Sequence, residues 1–570
     1  MEGIEKQFVV TKEEMMQYDQ NTSLKTGLCQ SVLIERAAVE TAKYLMENER
    51  THLNSMLILI GYGNNGADAV AVGRILIEYG FSPSFYFLNS DDSRMSEALS
   101  LQKKILQAYQ PDIVKEIKKS YAIYLDGIFG CGLNREITGD AGKLIEEINQ
   151  KAGRKISLDI PSGIEATEGR KLGYAFLADV TITFGFLKRG LFLLDGKNSS
   201  GIIALVKTGI NVTSFYGTKP EMFTYYDSNR NKLKALSELQ LKELSELQLK
   251  ELSELQLKEL SEHQLKEVSE HQLKEVSEHQ KFDMRRPADG NKGTFGKVTL
   301  ITGSTETGGA CILSCESALR SGCGMVRAVT ARENGTALQA RLPEAMTRFY
   351  DHTSDYEKIA REMEQWSDVI VMGCGTGTGD MQASLLKQVI CHTTKPLILD
   401  ADAITVLSMR QEIAELLCDR QSRKESKRIL IFTPHLKELS VLCKQNLQEV
   451  KEHLLDCCRQ QSLLYNAIFV AKDAKTVVYQ MGSGYYLNNS GNDCLATAGS
   501  GDVLTGLIGS ILAQMTKRKK ESEAESDISF QAAVNAVYLH GKAGEIAALR
   551  TNRGYVIASD IIRAYTEIMK

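Results

Sequence analysis

The chain has 570 residues, of which 43% are hydrophobic and 25% charged. Its length is sufficient for two globular domains, and its composition is typical of a folded globular protein. Its net charge of −4 gives no positive electrostatic field, so we expect neither nucleic acid nor a membrane surface as a partner. The longest apolar stretch, around residues 503–515, is too short to cross a bilayer, and the acidic N-terminus is not typical of a signal peptide.

The twelve cysteines are scattered along the chain, and Cys457 and Cys458 form the one adjacent pair. No CxxC motif and no zinc-like spacing of His and Cys occurs in the sequence. This usage predicts free thiols in a reducing compartment, and we therefore expect a cytoplasmic protein.

Short apolar runs alternate with helical stretches in the first part of the chain. The runs end on or near Gly or Asp, and the predicted helices between them include residues 68–79 and 96–108. Such alternation predicts a parallel sheet with its binding groups collected at the carboxyl ends of the strands. The runs are MLILIGYG (56–63), YAIYLDGIFG (121–130), KISLDIPSG (155–163) and ADVTITFG (178–185).

An octad repeat, LSELQLKE and later VSEHQLKE, follows over residues 236–280. Each octad rotates a helix by about 80° relative to the previous copy, so the apolar stripe winds around the helix, unlike that of a heptad coiled coil. Because the repeat has helical propensity and lacks Gly and Pro, it predicts a semi-rigid helical spacer. The same rotation places His263, His271 and His279 on different sides, which disfavours a metal stripe.

The second part of the chain repeats the alternating pattern and predicts a second α/β domain. We place the first domain at residues 1–225, the spacer at 226–282 and the second domain at 283–570. The predicted strands lie in KVTLITGS (297–304), VIVMGCG (369–375), PLILDAD (396–402), RILIFTPH (428–435) and AIFVAKD (467–473).

A small-residue loop, Ala498–Gly501, leads directly into an apolar helix whose first turn carries Asp502. Glycine lets the backbone approach an anion closely, and the free N–H groups of a helix start point at it. A carboxylate at that position could take a proton from a hydroxyl that attacks a phosphoryl group. The alternative is that Asp502 only caps the helix.

A second polar constellation follows the strands of the first domain. GYGNNGADA (61–69) opens a helix after a strand and supplies Asn64, Asn65 and Asp68, while Asp126 and Asp159 follow the next strands. Converging Asn, Asp and Ser oxygens suit a hard cation, or a ribose and phosphate. Three ordinary β–α turns that use Asp and Gly for their geometry are the alternative.

The combination GYGNNGAD, LDGIFGCGLNRE and LDIPSGI resembles the epimerase domain of the bifunctional NAD(P)H-hydrate repair enzymes over residues 10–215. The resemblance implies a Rossmann-like, three-layer αβα fold that interconverts the R and S forms at C6 of hydrated NAD(P)H, with Asp159 as the proton carrier. Ala67 departs from the glycine usual in the family. Implied ligands of K⁺ are Asn65, Asp126 and Ser162. The implied substrate contacts are Asn64, Asn65, Gly66, Ala67, Asp68, Gly130, Cys131, Gly132, Leu133, Asn134, Arg135, Glu136 and Asp159.

The second domain resembles the dehydratase partner of the same enzymes, which has a ribokinase-like α/β fold. Seven ordered blocks carry the resemblance, among them MGCGTGTG (372–379), LDADAIT (399–405), TPHLKEL (433–439) and AGSGDVLTG (498–506). The resemblance implies substrate contacts at Ala310, Gly375, His435 and Asp502. It implies nucleotide contacts at Lys472, Asp473, Ala474, Lys475, Thr476 and Gly501.

The implied reaction is a phosphoryl transfer followed by elimination. Asp502 takes the proton of the C6 hydroxyl, the terminal phosphoryl group of ADP moves onto its oxygen, and phosphate leaves as the dihydronicotinamide double bond is restored. Mg²⁺ screens the phosphate charges. Because a fused arrangement of this kind is typical of bacteria, ADP is the expected donor, and we expect a homo-oligomer.

Three departures from the family pattern bear on nucleotide binding. GPG is replaced by Gly373-Cys374-Gly375, the TPHPGE block by TPHLKE, and the glycine after Lys472 by Asp473. His435, in turn, could be a structural residue at a strand end.

Two other functions stay open at this level: a ribokinase-like vitamin kinase in the second domain, and a non-catalytic nucleotide-binding scaffold.

Overall fold

The structure is a computed structural model that describes residues 4–88, 92–210, 215, 219–227, 290–423, 428–518, 525–551 and 553–568. The described residues divide into two compact units, one within Glu5–Glu251 and one that comprises Ile4 and the described part of Leu252–Lys570. The predicted spacer, residues 226–282, lies outside the described residues except for its first two positions, and so do its three histidines. The spacer and the domain limits drawn around it therefore stay predictions.

The strands of the described residues are short and mostly buried. In chain order they are β1 (Ile4–Val10), β2 (Met56–Ile60), β3 (Ser84–Phe87), β4 (Asp112–Ile113), β5 (Ile123–Gly127), β6 (Arg154–Leu158), β7 (Val180–Phe184), β8 (Leu187–Lys188), β9 (Ile202–Val206), β10 (Met222–Asp227), β11 (Lys297–Ile301), β12 (Met325–Ala331), β13 (Met346–Tyr350), β14 (Val369–Met372), β15 (Leu397–Leu399), β16 (Leu430–Phe432), β17 (Ile468–Ala471), β18 (Val477–Gln480) and β19 (Gly484–Leu487).

The α-helices alternate with these strands. They are α1 (Lys12–Thr26), α2 (Gln30–Asn48), α3 (Asn64–Glu78), α4 (Glu97–Gln107), α5 (Gly139–Gln150), α6 (Gly196–Ser199), α7 (Gly308–Arg320), α8 (Gly335–Arg341), α9 (Tyr356–Trp366), α10 (Asp380–His392), α11 (Ala401–Met409), α12 (Gln411–Ser422), α13 (Leu436–Cys443), α14 (Leu447–Glu452), α15 (Leu454–Tyr465), α16 (Ser500–Arg518), α17 (Glu525–Thr551) and α18 (Ala558–Ile568). Among the described residues, no helix has both the length and the apolar character needed to cross a membrane.

The N-terminal unit contains a parallel sheet with the strand order β4-β3-β2-β5-β6-β7-β9. Strand β2 is buried on both faces: Ile58 and Ile60 join a core with α2 and α3, and Leu57 and Leu59 join a second core with α5. Helices therefore cover both faces, which confirms the predicted three-layer parallel fold. Helix α3 begins at Asn64, earlier than predicted, so the Asn64–Asn65 pair lies in its first turn.

The C-terminal unit is also built on parallel strands, paired in the order β13-β12-β11-β14-β15-β16-β17. An antiparallel extension, β18 and β19, follows β17. The predicted second α/β fold is confirmed.

Helix α16, which carries Asp502 in its first turn, packs closely against α7 and α17. A Cβ atom on Gly506 would lie 2.2 Å from the backbone oxygen of Ser314 on α7. This close approach of the two backbones requires glycine at position 506.

Gly506→Ala should therefore lower the free energy of unfolding of the C-terminal unit by about 1–3 kcal/mol, because the added methyl group forces α7 and α16 apart. Calorimetry of the full chain measures this change. Gly309→Ala on α7 is the matched control, since a Cβ there meets no atom within 4 Å. Equal unfolding temperatures for the two variants would contradict the assigned packing.

Candidate active sites

The turn after β2 is the first segment of the N-terminal unit's site along the chain. A Cβ atom on Gly66 would lie 2.5 Å from the backbone oxygen of Gly61, so this turn of α3 needs a glycine. The methyl group of Ala67 is fully buried in the core, and the departure at that position is accommodated by packing. Asn64 is exposed, whereas Asn65 is buried.

Asp126, at the end of β5, is a fully buried carboxylate whose hydrogen-bond donors among the described residues are all neutral. It accepts from the hydroxyl of Ser162 at 2.6 Å, the hydroxyl of Ser157 at 2.8 Å, and the backbone N–H groups of Ser162 and Ile128. Burial raises the pKa of Asp126 although these hydrogen bonds oppose the shift. A cation nearby would compensate the charge.

Asn65 lies beside this carboxylate-rich edge with its side-chain oxygen and nitrogen buried and without hydrogen-bond partners in the described structure. A Cβ atom on Gly130 would lie 3.2 Å from the side chain of Asn65, so the loop after β5 covers it. A buried, unpartnered amide oxygen is a suitable ligand for a hard cation. The oxygen donors of Asn65, Asp126 and Ser162 are thus chemically compatible with K⁺, and the potassium site stays a prediction.

Asp159 follows β6 in a left-handed backbone conformation, with φ of +65°, which is uncommon for a residue other than glycine. One carboxylate oxygen lies 2.5 Å from Nζ of Lys188, and the other accepts the backbone N–H of Cys131 at 2.8 Å. Lys188 is only 1% exposed and also donates to Thr183 and to the backbone oxygen of Phe184. The site thus contains a buried ion pair.

Two more carboxylates, those of Asp68 and Asp19, have pKa values that depend on burial and on this ion pair. Burial, with an added contribution from Asp159, raises the pKa of Asp68 well above its ordinary value. Burial also raises the pKa of Asp19, on α1, to about 6, with Lys188 opposing the shift and Asp159 adding to it. Three acidic groups thus surround one buried cation, and burial disfavours the charged form of two of them, Asp68 and Asp19.

Sequence reasoning missed Lys188 and Asp19. Lys188 lies at the end of the apolar run TITFGFLK. A single lysine in such a run indicates that an acidic side chain is buried beside it. Asp19 lies in a helix that carries no motif, and only the fold brings it near the site. Of the other predicted residues, Gly132 and Leu133 accept hydrogen bonds from Lys12 through their backbone oxygens. The segment 134–136 is exposed.

The site of the C-terminal unit centres on a second buried ion pair. Nζ of Lys472, at the end of β17, lies 2.6 Å from one oxygen of Asp400, at the end of β15. The other oxygen of Asp400 accepts the hydroxyl of Thr505 at 2.7 Å and the thiol of Cys374 at 3.6 Å. Burial disfavours both charges, but their attraction prevails: the pKa of Asp400 is lowered and that of Lys472 is raised.

The start of α16 lies over this pair. A Cβ atom on Gly501 would lie 3.4 Å from Nζ of Lys472. Asp502, the next residue, is partly buried. Burial and then the charge of Asp400 raise the pKa of Asp502 to about 6, while Cys374 and Lys472 oppose the shift. A base that titrates there is ionised, yet still readily protonated, at neutral pH.

The predicted substrate contacts Ala310 and Gly375 are neighbours. A Cβ atom on Gly375, whose φ is +60°, would lie 3.0 Å from the Cβ of Ala310, and Thr307 donates to the Gly375 backbone oxygen. His435 caps α13: its Nδ1 accepts the backbone N–H groups of Lys437 and Glu438, each at 3.1 Å. This cap gives His435 a structural task beside any contact with substrate.

The remaining predicted nucleotide contacts form the turn between β17 and β18. Lys475 donates to Asn489 at 3.2 Å, and the hydroxyl of Thr476 donates to the backbone oxygen of Asp473. Ala474 is exposed. The backbone of Lys472, which precedes this turn, pairs with that of His435. The structure thus brings the turn and the TPH block to the same edge of the sheet.

Sequence reasoning missed Asp400 and His540 as site residues. Asp400 belongs to the quoted LDADAIT block, and its position after a predicted strand was the available signal. His540 is buried in α17, where Nε2 lies 3.0 Å from the hydroxyl of Ser500 and Nδ1 lies 2.9 Å from that of Tyr565. Burial, with the charge of Lys472, lowers the pKa of His540 to about 3, so its ring is neutral.

The two α/β units, each with polar groups gathered beyond its parallel strands, define a two-domain enzyme with two separate sites. Family models match both: one described as YjeF-related protein N-terminus covers residues 30–190, and one described as NAD(P)H-hydrate dehydratase covers residues 298–567. Together they cover about three quarters of the chain. The chain belongs to the family of bifunctional NAD(P)H-hydrate repair enzymes.

Two sequence relatives agree with this assignment. The bifunctional NAD(P)H-hydrate repair enzyme Nnr of Thermofilum pendens is 26% identical, over 95% of this chain and 92% of its own length. That of Escherichia coli is 27% identical, over 90% and 84%. A solved structure of the ADP/ATP-dependent NAD(P)H-hydrate dehydratase from Bacillus subtilis, co-crystallised with ATP and Mg²⁺, is 26% identical, with a TM-score of 0.41, over 50% of this chain and 92% of that one.

Lys472→Met should lower the free energy of unfolding of the C-terminal unit by about 3–5 kcal/mol, because it leaves Asp400 buried without its cation. Adding Asp400→Asn should restore part of this loss. Calorimetry of the full chain measures both variants, and Lys437→Met, at an exposed lysine, is the control.

The stability that the ion pair adds to the wild type, relative to the double variant, should change with pH in a definite direction. Because the folded pKa of Asp400 is depressed, the pair stabilises the fold above about pH 4 and loses that contribution as the pH falls through the folded pKa. A wild-type advantage over the double variant that grows on acidification would contradict the assignment.

Proposed function

We propose that the chain repairs hydrated NADH and NADPH in two steps, each in its own unit. The N-terminal unit interconverts the R and S hydrates, and the C-terminal unit dehydrates the S form with ADP as phosphoryl donor. The observation that carries the second step is the position of Asp502 at the start of α16, beside Lys472 and Asp400. The family membership favours this function over a vitamin kinase or a non-catalytic scaffold.

In the proposed dehydration, Asp502 accepts the proton of the C6 hydroxyl as the hydroxyl oxygen bonds to the terminal phosphorus of ADP, and AMP leaves. Loss of phosphate from C6 and of a proton from C5 then restores the ring double bond. Lys472 offers its charge to the phosphates beneath Gly501, where glycine permits a close approach. Mg²⁺, bound through the nucleotide phosphates, would neutralise charge that develops during transfer.

In the proposed epimerisation, Asp159 takes the proton of the C6 hydroxyl as the C6–N1 bond breaks to give an aldehyde and N1 is protonated. Closure of N1 on the opposite face of the aldehyde reverses both proton transfers and inverts C6. Lys188 holds the Asp159 carboxylate in place. Asp68 and Asp19, with their raised pKa values, keep a proton available beside it. Asn65, Asp126 and Ser162 would hold K⁺, whose charge would compensate the buried Asp126 carboxylate. No disulfide bond joins the cysteines of the described residues, which agrees with the proposed cytoplasmic location.

Asp502→Asn should lower the rate of NADH recovery from the S hydrate by about 10²–10⁴-fold, because the amide cannot accept the hydroxyl proton. Absorbance of the reduced nicotinamide, with Mg²⁺ and either ADP or ATP, measures the rate and identifies the donor. The control is Asp493→Asn, at an exposed carboxylate. Unchanged recovery by Asp502→Asn, or none by the wild type with either nucleotide, would refute the dehydratase proposal.

Asp126→Asn should leave dehydration of the S hydrate intact and abolish consumption of the R hydrate, since the neutral side chain no longer attracts K⁺. Chromatography of the two hydrates during turnover of a mixture measures this effect. Replacing K⁺ by tetramethylammonium should have the same effect on the wild type and lower its unfolding temperature. Asp140→Asn is the control. A K⁺-independent wild type would rule out the cation site.

A further inference from the structure

The chain segment that leads into α16 lies along α17. The hydroxyl of Ser490 donates to the backbone oxygen of Tyr538 at 2.8 Å, and the thiol of Cys494 donates to that of Gly544 at 3.1 Å. Both acceptors belong to α17, one on either side of His540. The next contact along the segment is made by His540 itself, so α17 supports the segment up to the first residue of α16.

His540 joins three helices through its ring. Nε2 lies 3.0 Å from the hydroxyl oxygen of Ser500 on α16, and Nδ1 lies 2.9 Å from that of Tyr565 on α18. All three side chains are buried, and His540 is only 6% exposed. A neutral imidazole has one donor nitrogen and one acceptor nitrogen, so the two hydroxyl groups use both. These contacts fix the orientation of the ring and, with it, the position of the Ser500 side chain.

Ser500 lies between two glycines at the start of α16. Gly499, with φ of +86°, precedes it, and Gly501 follows it. Because glycine restricts the backbone least, the hydrogen bond between Ser500 and His540 restrains a segment whose own residues restrict it little. The N–H groups of Gly501 and Asp502 belong to the first turn of the helix and have no partner within it. Their direction therefore depends on how Ser500 is held.

We propose that His540 is a positioning residue for the phosphoryl donor: it holds Ser500 so that the first N–H groups of α16 point at the nucleotide phosphates. The inference rests on the nucleotide binding proposed above. Lys472, beside Gly501, supplies the charge that attracts the phosphates, and the fixed N–H groups set their orientation. His540 contacts neither the nucleotide nor the hydrate in this role, and it acts through Ser500.

Calorimetric titration of the full chain with ADP and, separately, with ATP, each with Mg²⁺, tests this role. Ser500→Ala and His540→Leu should each weaken nucleotide binding about tenfold, the effect of one lost buried hydrogen bond. The double variant should bind no more weakly than His540→Leu, because both changes remove the same hydrogen bond. His540→Gln, whose amide group takes the place of Nε2, should keep most of the affinity.

Ser462→Ala provides the matched control. That hydroxyl is also buried, and it donates to the backbone oxygen of Ala467, at the opposite end of β17 from Lys472. The control should lower the unfolding temperature without changing nucleotide affinity. If Ser500→Ala and His540→Leu behave in the same way, their hydrogen bond has only a structural role and the proposal is overturned.

If His540→Leu does not fold, Ser500→Ala and Tyr565→Phe decide. Tyr565→Phe keeps the aromatic ring but leaves Nδ1 of His540 without its partner, so it should weaken nucleotide binding about threefold. Wild-type affinity in both variants would overturn the proposal.

Turnover separates this inference from the proposed dehydratase. In NADH recovery, Ser500→Ala should raise the KM for the nucleotide about tenfold. The KM for the S hydrate should stay unchanged, since the implied hydrate contacts Ala310 and Gly375 lie on other segments, in α7 and after β14. If the wild type recovers no NADH while the variants still bind nucleotide more weakly, the dehydratase proposal fails and the positioning role is supported. A wild type that binds neither nucleotide would overturn the inference.

Discussion

The parallel order of the strands is the constraint on which both sites depend. Parallel strands bring their carboxyl ends to one edge of the sheet, and the crossover helices begin there with unpaired N–H groups. In the N-terminal unit this edge collects Asn65, Asp126 and Asp159 from the ends of three neighbouring strands, β2, β5 and β6. In the C-terminal unit it collects Cys374, Asp400 and Lys472 beneath the start of α16.

Both edges use the same electrostatic arrangement. A buried lysine pairs with one aspartate, Lys188 with Asp159 and Lys472 with Asp400, and further carboxylates lie close enough to feel the pair. In each pair, removing one partner would leave the charge of the other without compensation. Burial raises the pKa values of the additional acids, which are Asp68 and Asp19 in one unit and Asp502 in the other. In each unit a lysine–aspartate pair thus lies next to a separate acid whose pKa is raised.

The sequence predicted much of this architecture, because its signals were local. Apolar runs that end on Gly or Asp located β2, β5, β6 and β7, and a small-residue loop before an apolar stretch located the start of α16 and Asp502. Lys472 was predicted from the resemblance to the dehydratase family, and it directly follows strand β17. The proposed roles of His435 and of the turn 473–476 in ligand binding remain predictions, and the structure adds that His435 caps a helix.

Residue order and type therefore determined the fold class, the family and the position of Asp502 in the first turn of α16, since these follow from periodicity and from motifs of contiguous residues. The tertiary structure alone decided which charges meet. Lys188 and Asp159 are 29 positions apart, and 72 positions separate Lys472 from Asp400. Asp19 and His540 lie in helices without a motif. Such pairings depend on distance and burial, which only the packed chain defines, and they determine which carboxylates keep their protons.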